Sequence, residues 1–267
     1  MPQLVICDID ATLVNEKKEL TPRTKEALIK LHEKGIYFGI ASGRPVDELK
    51  RNKERWDLPF DFDFVMGMNG AELWDGVHQK FYSYFMMKKE WLKETMEIMN
   101  VVECNPMVYW KGKIRCVRID DWMIHSASTS HKELEIVRLE DLYANENAKI
   151  MFRMKEEDMP KAEAWVKAHP NPYYHGFKTQ TTLLEFCDKR INKGYGLQKI
   201  CELNDMDLKD VMAFGDTSND NEMLKVAGCG VCMINGTDDT KACANAITTY
   251  DNDHDGLAIY LEESEIV

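Results

Sequence analysis

Uninterrupted apolar runs alternate with helix-like segments at the start of the chain. The first run, Leu4–Cys7, has no polar break, which is typical of a strand buried on both faces of a parallel sheet. Thr21-Pro22 then supplies a helix N-cap followed by proline, and Gly35 supplies a stop, so a helix is predicted between them. Further strands are predicted at residues 36–41 and 62–66, a helix at 46–56, and a hairpin at 71–74 and 77–82. This order predicts a doubly wound α/β sheet.

The middle of the chain follows a different pattern. Hairpins and amphipathic helices are mixed there, including a predicted helix at residues 88–100 and a hairpin around Lys111-Gly112. Alternation of helix and strand returns near Asp188 and continues to the end of the chain. We therefore predict an α/β protein whose core, residues 1–83 and 188–267, is a doubly wound, Rossmann-like parallel sheet. Residues 84–187 are predicted to form an inserted α+β domain.

Composition narrows the classes of partner and location. The formal net charge of −12 argues against nucleic acid or an anionic membrane surface as the main partner. No apolar run approaches the roughly 20 residues of a membrane span, and the first residues carry no basic segment of a signal peptide. The eight cysteines are scattered through the chain, which is typical of reduced thiols. We expect a cytoplasmic protein with neither a nucleic-acid nor a membrane partner.

Two carboxylates follow the first predicted strand. Asp8 and Asp10 are two positions apart, so they project to the same side at the carboxyl end of the strand, where open α/β sheets bind ligands. Two like charges this close repel, and one pKa rises unless a cation neutralises the pair. Mg²⁺ is the predicted cofactor, because it binds one or two carboxylates together with water and substrate phosphate. For an isolated pair of this kind, a polar loop after a strand is the better interpretation.

Three further segments carry polar groups where a strand ends or a helix begins. Ser42-Gly43 offers a hydroxyl and backbone N–H groups at a helix N-terminus, which suits an anion, although an ordinary N-cap looks the same. Lys193 enters a predicted helix beside glycines, and Gly215-Asp216 with Asn219-Asp220 follows a predicted strand. Together these groups provide a nucleophilic carboxylate, a second acid, a cation site and phosphate donors. Phosphoryl transfer from a monoester needs that set.

The residues at Asp8-Ile9-Asp10-Ala11-Thr12, Ser42, Lys193 and Gly215–Asp220 resemble the four motifs of the haloacid dehalogenase superfamily of phosphatases. The resemblance spans essentially the whole chain. The position of the insertion is similar to that in the Cof-type subfamily, whose members carry a large α/β cap there. Three more segments resemble that subfamily: Met68-Asn69-Gly70-Ala71, Arg44 after Ser-Gly, and Asp255-Gly256-Leu257-Ala258.

One position departs from the family pattern. The commonest form of the first motif has glycine where this chain has Ala11. Alanine costs little there unless the backbone needs a positive φ. We therefore expect activity to be retained. A positive φ at residue 11 would make alanine unfavourable there.

The resemblance implies a role for each matching residue. Asp8 would be the nucleophile that becomes phosphorylated and would also bind Mg²⁺. Asp10 would be the general acid and then the base for water, with its backbone carbonyl on the metal. Ser42 and Gly43 would hold phosphoryl oxygens, and Lys193 would neutralise them and orient Asp8. The remaining roles would be a side-chain metal ligand at Asp216, a phosphate or substrate contact at Asn219, and a partner of the metal waters or Lys193 at Asp220.

The leading hypothesis is a Mg²⁺-dependent phosphatase that acts as a monomer on a small phosphorylated metabolite, with sugar phosphates as the first candidates. An aspartyl-phosphate intermediate is expected at Asp8, and the inserted domain would select the leaving group. One alternative is a phosphomutase on the same scaffold, which returns the phosphoryl group to the substrate. Another is a non-catalytic phospho-aspartate signalling module, a class that lacks an inserted domain. A Rossmann nucleotide site has no support, because no G-x-G-x-x-G follows the first strand.

Overall fold

A computed structural model describes residues 1–267, which form two compact units. The core unit comprises Met1–Ser83 and Ile191–Val267, and the inserted unit comprises Tyr84–Arg190. The sequence pattern places the second boundary at residue 188 instead. The chain stays with the inserted unit beyond that point, because Arg190 donates two hydrogen bonds, of 2.9 and 2.8 Å, to the carboxylate of Asp188.

The strands and helices are numbered here in chain order. The strands are β1 (Leu4–Asp8), β2 (Tyr37–Ala41), β3 (Phe64–Gly67), β4 (Glu72–Asp75), β5 (Lys80–Ser83), β6 (Cys104–Trp110), β7 (Lys113–Cys116), β8 (Glu133–Ile136), β9 (Lys149–Met154), β10 (Tyr174–Gln180), β11 (Leu183–Asp188), β12 (Val211–Gly215), β13 (Cys229–Cys232) and β14 (Ala246–Ile247). The α-helices are α1 (Pro22–Glu33), α2 (Val46–Leu49), α3 (Asn52–Arg55), α4 (Lys89–Met99), α5 (Asp121–Ser130), α6 (Leu139–Leu142), α7 (Met159–Ala168), α8 (Lys193–Leu203), α9 (Asn221–Val226), α10 (Asp238–Cys243) and α11 (Gly256–Glu263).

The core unit is built on an eight-stranded sheet with the order β14-β13-β12-β1-β2-β3-β4-β5. The six strands from β14 to β3 are parallel, and the β4–β5 hairpin adds two antiparallel strands at one edge. β1 is completely buried between β12 and β2, as its apolar sequence predicts. The predicted fold class, a doubly wound parallel sheet, is confirmed.

The local sequence explains where helix α1 begins and ends. The Thr21 side chain accepts a hydrogen bond from the backbone N–H of Thr24, Pro22 occupies the first turn, and Gly35 takes a φ of +72° just past the end. The helix buries Ala27, Leu28 and Leu31 in the apolar cluster that packs on the sheet of the core unit. The predicted helix is therefore confirmed.

The single helix predicted at residues 46–56 is wrong. The structure has two four-residue helices there, α2 and α3. The backbone N–H of Arg51 bonds to the carbonyl of Glu48, and that of Lys53 to Lys50, so these bonds span three residues rather than four. This tighter turn interrupts the α-helical ladder.

The inserted unit contains a six-stranded sheet with the order β10-β11-β9-β6-β7-β8. All neighbouring pairs are antiparallel except β7 and β8. Helices α4 and α7 cover an apolar cluster that includes Leu92, Phe152 and Phe186. Helix α5 and strand β8 have no counterpart among the elements predicted from the sequence. No helix in either unit is long and apolar enough to cross a membrane.

Candidate active site

The strand order of the core unit brings three predicted motifs to one edge. β1 pairs in parallel with β12 on one side and with β2 on the other. Asp8 is the last residue of β1, Ser42 directly follows β2, and Asp216 directly follows β12. Because the carboxyl ends of parallel strands meet at the same edge, these residues come together from distant parts of the chain.

A buried cluster of three carboxylates forms at this edge. Oxygens of Asp8, Asp216 and Asp220 lie within 4.8 Å of one another. The Thr12 hydroxyl donates to Asp216 Oδ1 at 2.9 Å. The backbone N–H groups of Asp216 and Thr217 donate to Asp220 Oδ2 at 3.0 and 3.2 Å. These donors fix the orientation of two of the three acids.

Glycine at position 215 allows this packing. A Cβ built on Gly215 would lie 2.5 Å from the Cβ of Asp220, a distance that real side chains do not tolerate. The glycine of this motif is thus required by close approach, and its φ is not positive. The loop can close only because residue 215 has no side chain.

Lys193 supplies the positive charge inside the cluster. It is the first residue of α8 and is completely buried. Its Nζ donates to Asp8 Oδ1 and to Asp220 Oδ1, the latter at 2.5 Å. The helix start is secured by Asn192, whose side chain accepts from the backbone N–H of Tyr195 at 2.8 Å. The predicted contact between Lys193 and Asp8 is therefore present in the fold.

The electrostatics of the cluster leave it with excess negative charge. Burial raises the pKa of Asp8 to about 8, even though Lys193 opposes the shift, and the charges of Asp220 and Asp216 add to it. Burial, together with Asp220, raises the pKa of Asp216 to about 6. Burial alone would lower the pKa of Lys193, but its two carboxylate partners outweigh that effect and raise it. One ammonium does not balance three buried acids.

This donor set fits a magnesium ion. Hard oxygen ligands and surplus negative charge are what Mg²⁺ selects in proteins. A divalent cation among Asp8, Asp216 and Asp220 would offset the burial and the mutual repulsion that raise the pKa values of Asp8 and Asp216. The predicted cofactor therefore agrees with the chemistry of the residues that the fold assembles.

The carboxylate of Asp10 stands outside this cluster. Arg44 Nη2 donates to its two oxygens at 2.9 and 3.2 Å, and Lys18 Nζ lies 2.8 Å from Oδ1. Although burial pulls the other way, the charge of Arg44, followed by Lys18, holds the pKa of Asp10 below its usual value. Asp10, Lys18 and Arg44 also line a cavity of about 480 Å³ whose wall includes Trp56. Sequence reasoning missed both cationic partners of Asp10, because no local pattern links residues so far apart.

The predicted phosphate-binding residues lie on neighbouring loops of the same edge. Ser42 is buried, and its hydroxyl accepts from the backbone N–H of Arg44 at 3.3 Å. Asn219 donates through Nδ2 to Asn69 Oδ1 at 3.4 Å. A Cβ built on Gly43 would lie 3.5 Å from the same Asn69 side chain. Asn69 therefore contacts both loops, although sequence reasoning gave it no role.

The backbone at Ala11 adopts the conformation that usually calls for glycine. Its φ is +59°, in the left-handed region. Asn235 Nδ2 donates to the carbonyl of Ala11 at 2.8 Å and so helps to hold the turn. The departure from the family pattern thus carries a conformational cost at this position.

The chain is similar to known proteins over nearly its full length. A model of the haloacid dehalogenase-like hydrolase family matches residues 5–261. The 5-amino-6-(5-phospho-D-ribitylamino)uracil phosphatase YitU of Bacillus subtilis is 27% identical over 272 residues, covering 98% of this chain and 97% of that protein. The phosphatase YcsE of the same organism, which has the same named activity, is 26% identical over 260 residues, covering 96% of this chain and 93% of that protein.

Solved structures extend the similarity to the whole fold. The crystal structure of a haloacid dehalogenase-like hydrolase from Bacteroides thetaiotaomicron superposes with a TM-score of 0.88 at 25% identity, covering 99% of this chain and 100% of that one. The predicted enzyme class, a phosphoric monoester hydrolase, is the class of the curated relatives and is confirmed. The match along nearly the full length shows that this chain belongs to the haloacid dehalogenase-like hydrolase family.

Proposed function

We propose that this protein is a Mg²⁺-dependent phosphatase that hydrolyses small phosphorylated metabolites through an aspartyl-phosphate formed at Asp8. One observation carries the proposal: the buried ammonium of Lys193 contacts both Asp8 and Asp220, beside a third buried acid, Asp216. Removing this much charge from water is costly unless a bound cation offsets it. Buried clusters of titratable groups are typical of functional sites. A phosphoryl-transfer site accounts for all of these charges.

In this proposal the chain holds Mg²⁺ through Asp8, Asp216 and the backbone carbonyl of Asp10. Asp220 is not a direct ligand in this proposal. It accepts hydrogen bonds from Lys193 and from the backbone N–H of Asp216. When bound, the ion supplies positive charge that polarises the phosphoryl oxygens and offsets the buried acids.

Asp8 attacks phosphorus in the first step, and the bond from phosphorus to the leaving oxygen breaks. Asp10 gives its proton to that oxygen, which departs as an alcohol. In the second step Asp10 takes a proton from water, the water oxygen attacks phosphorus, and the bond to Asp8 breaks to release inorganic phosphate. Lys193 fixes the carboxylate of Asp8 throughout, since it donates to Oδ1.

The transferred group is bound in this scheme by donors from two loops and from the start of helix α8. Ser42 and Gly43 offer a hydroxyl and a backbone N–H, Asn219 offers an amide N–H, and Lys193 offers charge. Positioning and charge stabilisation do most of the work in phosphoryl transfer. The rigid attachment of these residues to strand ends is therefore as important as their chemistry.

Cavity size and the named activities of two relatives support the proposed substrate class. The cavity of about 480 Å³ lined by Asp10, Lys18 and Arg44 has a volume typical of a small-molecule site. YitU and YcsE are named for a substrate with a phosphoribityl group. Sugar phosphates and phosphorylated sugar alcohols are therefore the first compounds to test. We further propose that the inserted unit acts as the cap that selects the leaving group and that the protein works as a cytoplasmic monomer.

Replacement of the nucleophile tests the proposal. Asp8→Asn should lower phosphate release from p-nitrophenyl phosphate in Mg²⁺ by at least about 1,000-fold. The matched control Asp61→Asn changes an exposed acid and should leave the rate within about twofold. Mass spectrometry of acid-quenched wild type should find one phosphoryl group on the peptide that contains Asp8. Substantial turnover by Asp8→Asn, or a phosphoryl group elsewhere, would refute the mechanism. Assaying isomerised product beside free phosphate separates a phosphatase from a phosphomutase.

A further inference from the structure

Three successive residues after β3 have positive φ angles. They are Met68 at 51°, Asn69 at 54° and Gly70 at 103°. Glycine adopts this region freely and asparagine tolerates it, but a buried methionine rarely does. Strain of this kind persists where the surrounding structure over-determines it, and it concentrates at functional sites.

Backbone hydrogen bonds tie this segment to the loop that follows β2. The N–H of Met68 donates to the carbonyl of Arg44 at 2.9 Å, and the N–H of Asn69 donates to the carbonyl of Ser42 at 3.0 Å. The strained segment is therefore docked on the Ser42-Gly43 loop. Asn69 can lie where it does only because the backbone turns in this way.

The side chain of Asn69 holds one end of the Asn219 amide. Asn219 Nδ2 donates to Asn69 Oδ1 at 3.4 Å, and the Thr217 hydroxyl donates to Asn219 Oδ1 at 2.8 Å. The Thr217 oxygen also accepts from the backbone N–H of Asp220, so its own proton is directed to Asn219. Both ends of the amide are thus held, which leaves one N–H of Asn219 for a ligand.

The same side chain lies against the other phosphate-binding loop. A Cβ built on Gly43 would be 3.5 Å from both Oδ1 and Nδ2 of Asn69, which is ordinary van der Waals contact. The side chain of Asn69 therefore lies close to Gly43, its backbone N–H bonds to Ser42, and its amide bonds to Asn219. Asn69 connects the two loops that the proposed function assigns to the phosphoryl group.

We propose that Asn69 is a positioning residue for the phosphoryl group, because it fixes the amide of Asn219 and the spacing of the Gly43 loop. This inference rests on the proposed function, in which those loops bind phosphate. Asn69 itself does not touch the reacting atoms. Its loss should weaken the binding of inorganic phosphate and raise KM, while kcat changes little.

The variant Asn69→Gly separates the side chain from the strained backbone, since glycine favours the same φ. Calorimetric titration with inorganic phosphate in Mg²⁺ should show affinity about tenfold weaker than wild type, with kcat for p-nitrophenyl phosphate within about threefold. The matched control is Gln79→Gly, at a φ of 54° in an exposed turn, and it should leave phosphate affinity unchanged.

A double variant tests whether Asn69 acts through Asn219. Asn219→Ala should weaken phosphate binding, and adding Asn69→Gly to it should weaken binding by no more than about a further twofold. Fully additive losses overturn the proposal, and so does an Asn69→Gly affinity within about twofold of wild type. Either result would leave Asn69 as a structural residue of the loop.

Thr217→Val provides the test if Asn69→Gly does not fold. If Asn69→Gly is unfolded by circular dichroism, Thr217→Val releases the other end of the Asn219 amide and should weaken phosphate binding about tenfold; a change below about twofold overturns the proposal. If wild type binds inorganic phosphate but cleaves no phosphate ester, the proposed function fails. The coupling between Asn69 and Asn219 is still decided, because it is measured on inorganic phosphate.

Discussion

Arg44 donates to both carboxylate oxygens of Asp10 through a single nitrogen, Nη2, which lies 2.9 Å from one oxygen and 3.2 Å from the other. With Lys18, Arg44 keeps the pKa of Asp10 below its usual value despite partial burial. At neutral pH the resting carboxylate is thus ionised, which suits a base. The same residue must carry a proton to act as the general acid of the first step.

We predict that Arg44→Gln moves the pH dependence of the enzyme. Losing the guanidinium raises the pKa of Asp10, so Asp10 keeps its proton to higher pH and the alkaline limb of kcat/KM for an alkyl phosphate shifts upward. The activity at neutral pH should fall about tenfold through lost alignment. Complete pH–rate profiles for wild type and variant measure both effects. Arg23→Gln, which breaks the pair with Glu262, is the control and should leave the profile in place. An unshifted alkaline limb in Arg44→Gln would show that Arg44 does not tune Asp10.

Removal of the buried ammonium should destabilise the metal-free protein. Lys193→Met leaves Asp8 and Asp220 without the group that bonds to both, and one-sided loss of a buried ion pair costs about 3–5 kcal/mol. Urea unfolding in a chelator measures the free energy. Lys199→Met, at a half-buried position of the same helix that pairs with nearby Glu202, should change it by less than about 1 kcal/mol. Mg²⁺ should stabilise Lys193→Met more than wild type, and equal stabilisation of the two would contradict a shared site.

Magnesium affinity should increase with pH. The pKa values of about 6 for Asp216 and about 8 for Asp8 mean that the metal must displace protons over this interval. The apparent affinity is expected to rise up to about tenfold per pH unit for each proton released. Calorimetry in two buffers of different ionisation enthalpy counts those protons. A pH-independent affinity with no proton release would show that these acids are not the ligands.

The same shifts predict the pH dependence of stability without metal. Both pKa values lie above the ordinary value of 3.8, so the folded chain binds more protons than the unfolded chain between about pH 4 and pH 8. Stability of the metal-free protein should therefore fall as pH rises through this window, and saturating Mg²⁺ should flatten the curve. Unfolding free energies measured across the window, with chelator and with Mg²⁺, check the sign.

Glycine at position 11 should stabilise the fold. Ala11 has a φ of +59°, and relief of this left-handed strain is worth about 1 kcal/mol after the added freedom of the unfolded chain is counted. Activity should stay within about threefold, since the side chain at 11 is a methyl group. Ala164→Gly, in an exposed part of helix α7, is the control and should instead destabilise by roughly 1 kcal/mol. Thermal unfolding of both variants settles the comparison, and a destabilised Ala11→Gly would contradict the assigned strain.

The fold was predictable where local chemistry and packing agree. The first four residues of β1 are apolar, and α1 has an N-cap, a proline and a glycine just after its end. Both elements could therefore be predicted from the sequence alone. Helix α11 gave no such signal, because it begins after Asp255 in a left-handed conformation rather than after a conventional cap. Helix α5 was missed although Asp120 caps it, since its serines and threonines weaken the helical pattern.

The candidate site was predictable in its members but not in its contacts. Segments after strands identified Asp8, Asp216 and Asp220, the start of a helix identified Lys193, and the fold brings them together as expected. The separation of Asp10 from this cluster could not be foreseen. Its orientation depends on Lys18 and Arg44, and these pairings arise only from the three-dimensional fold.

The complete burial of Lys193 makes its amine a reporter of structural opening. Amine-acylating reagents need solvent access, so they should label exposed lysines such as Lys17 within minutes and spare Lys193 for as long as the helix that carries it stays docked. When acylation of the open state is faster than reclosing, the rate at which Lys193 is acylated equals the rate at which the catalytic centre opens, and mass spectrometry can follow it one peptide at a time.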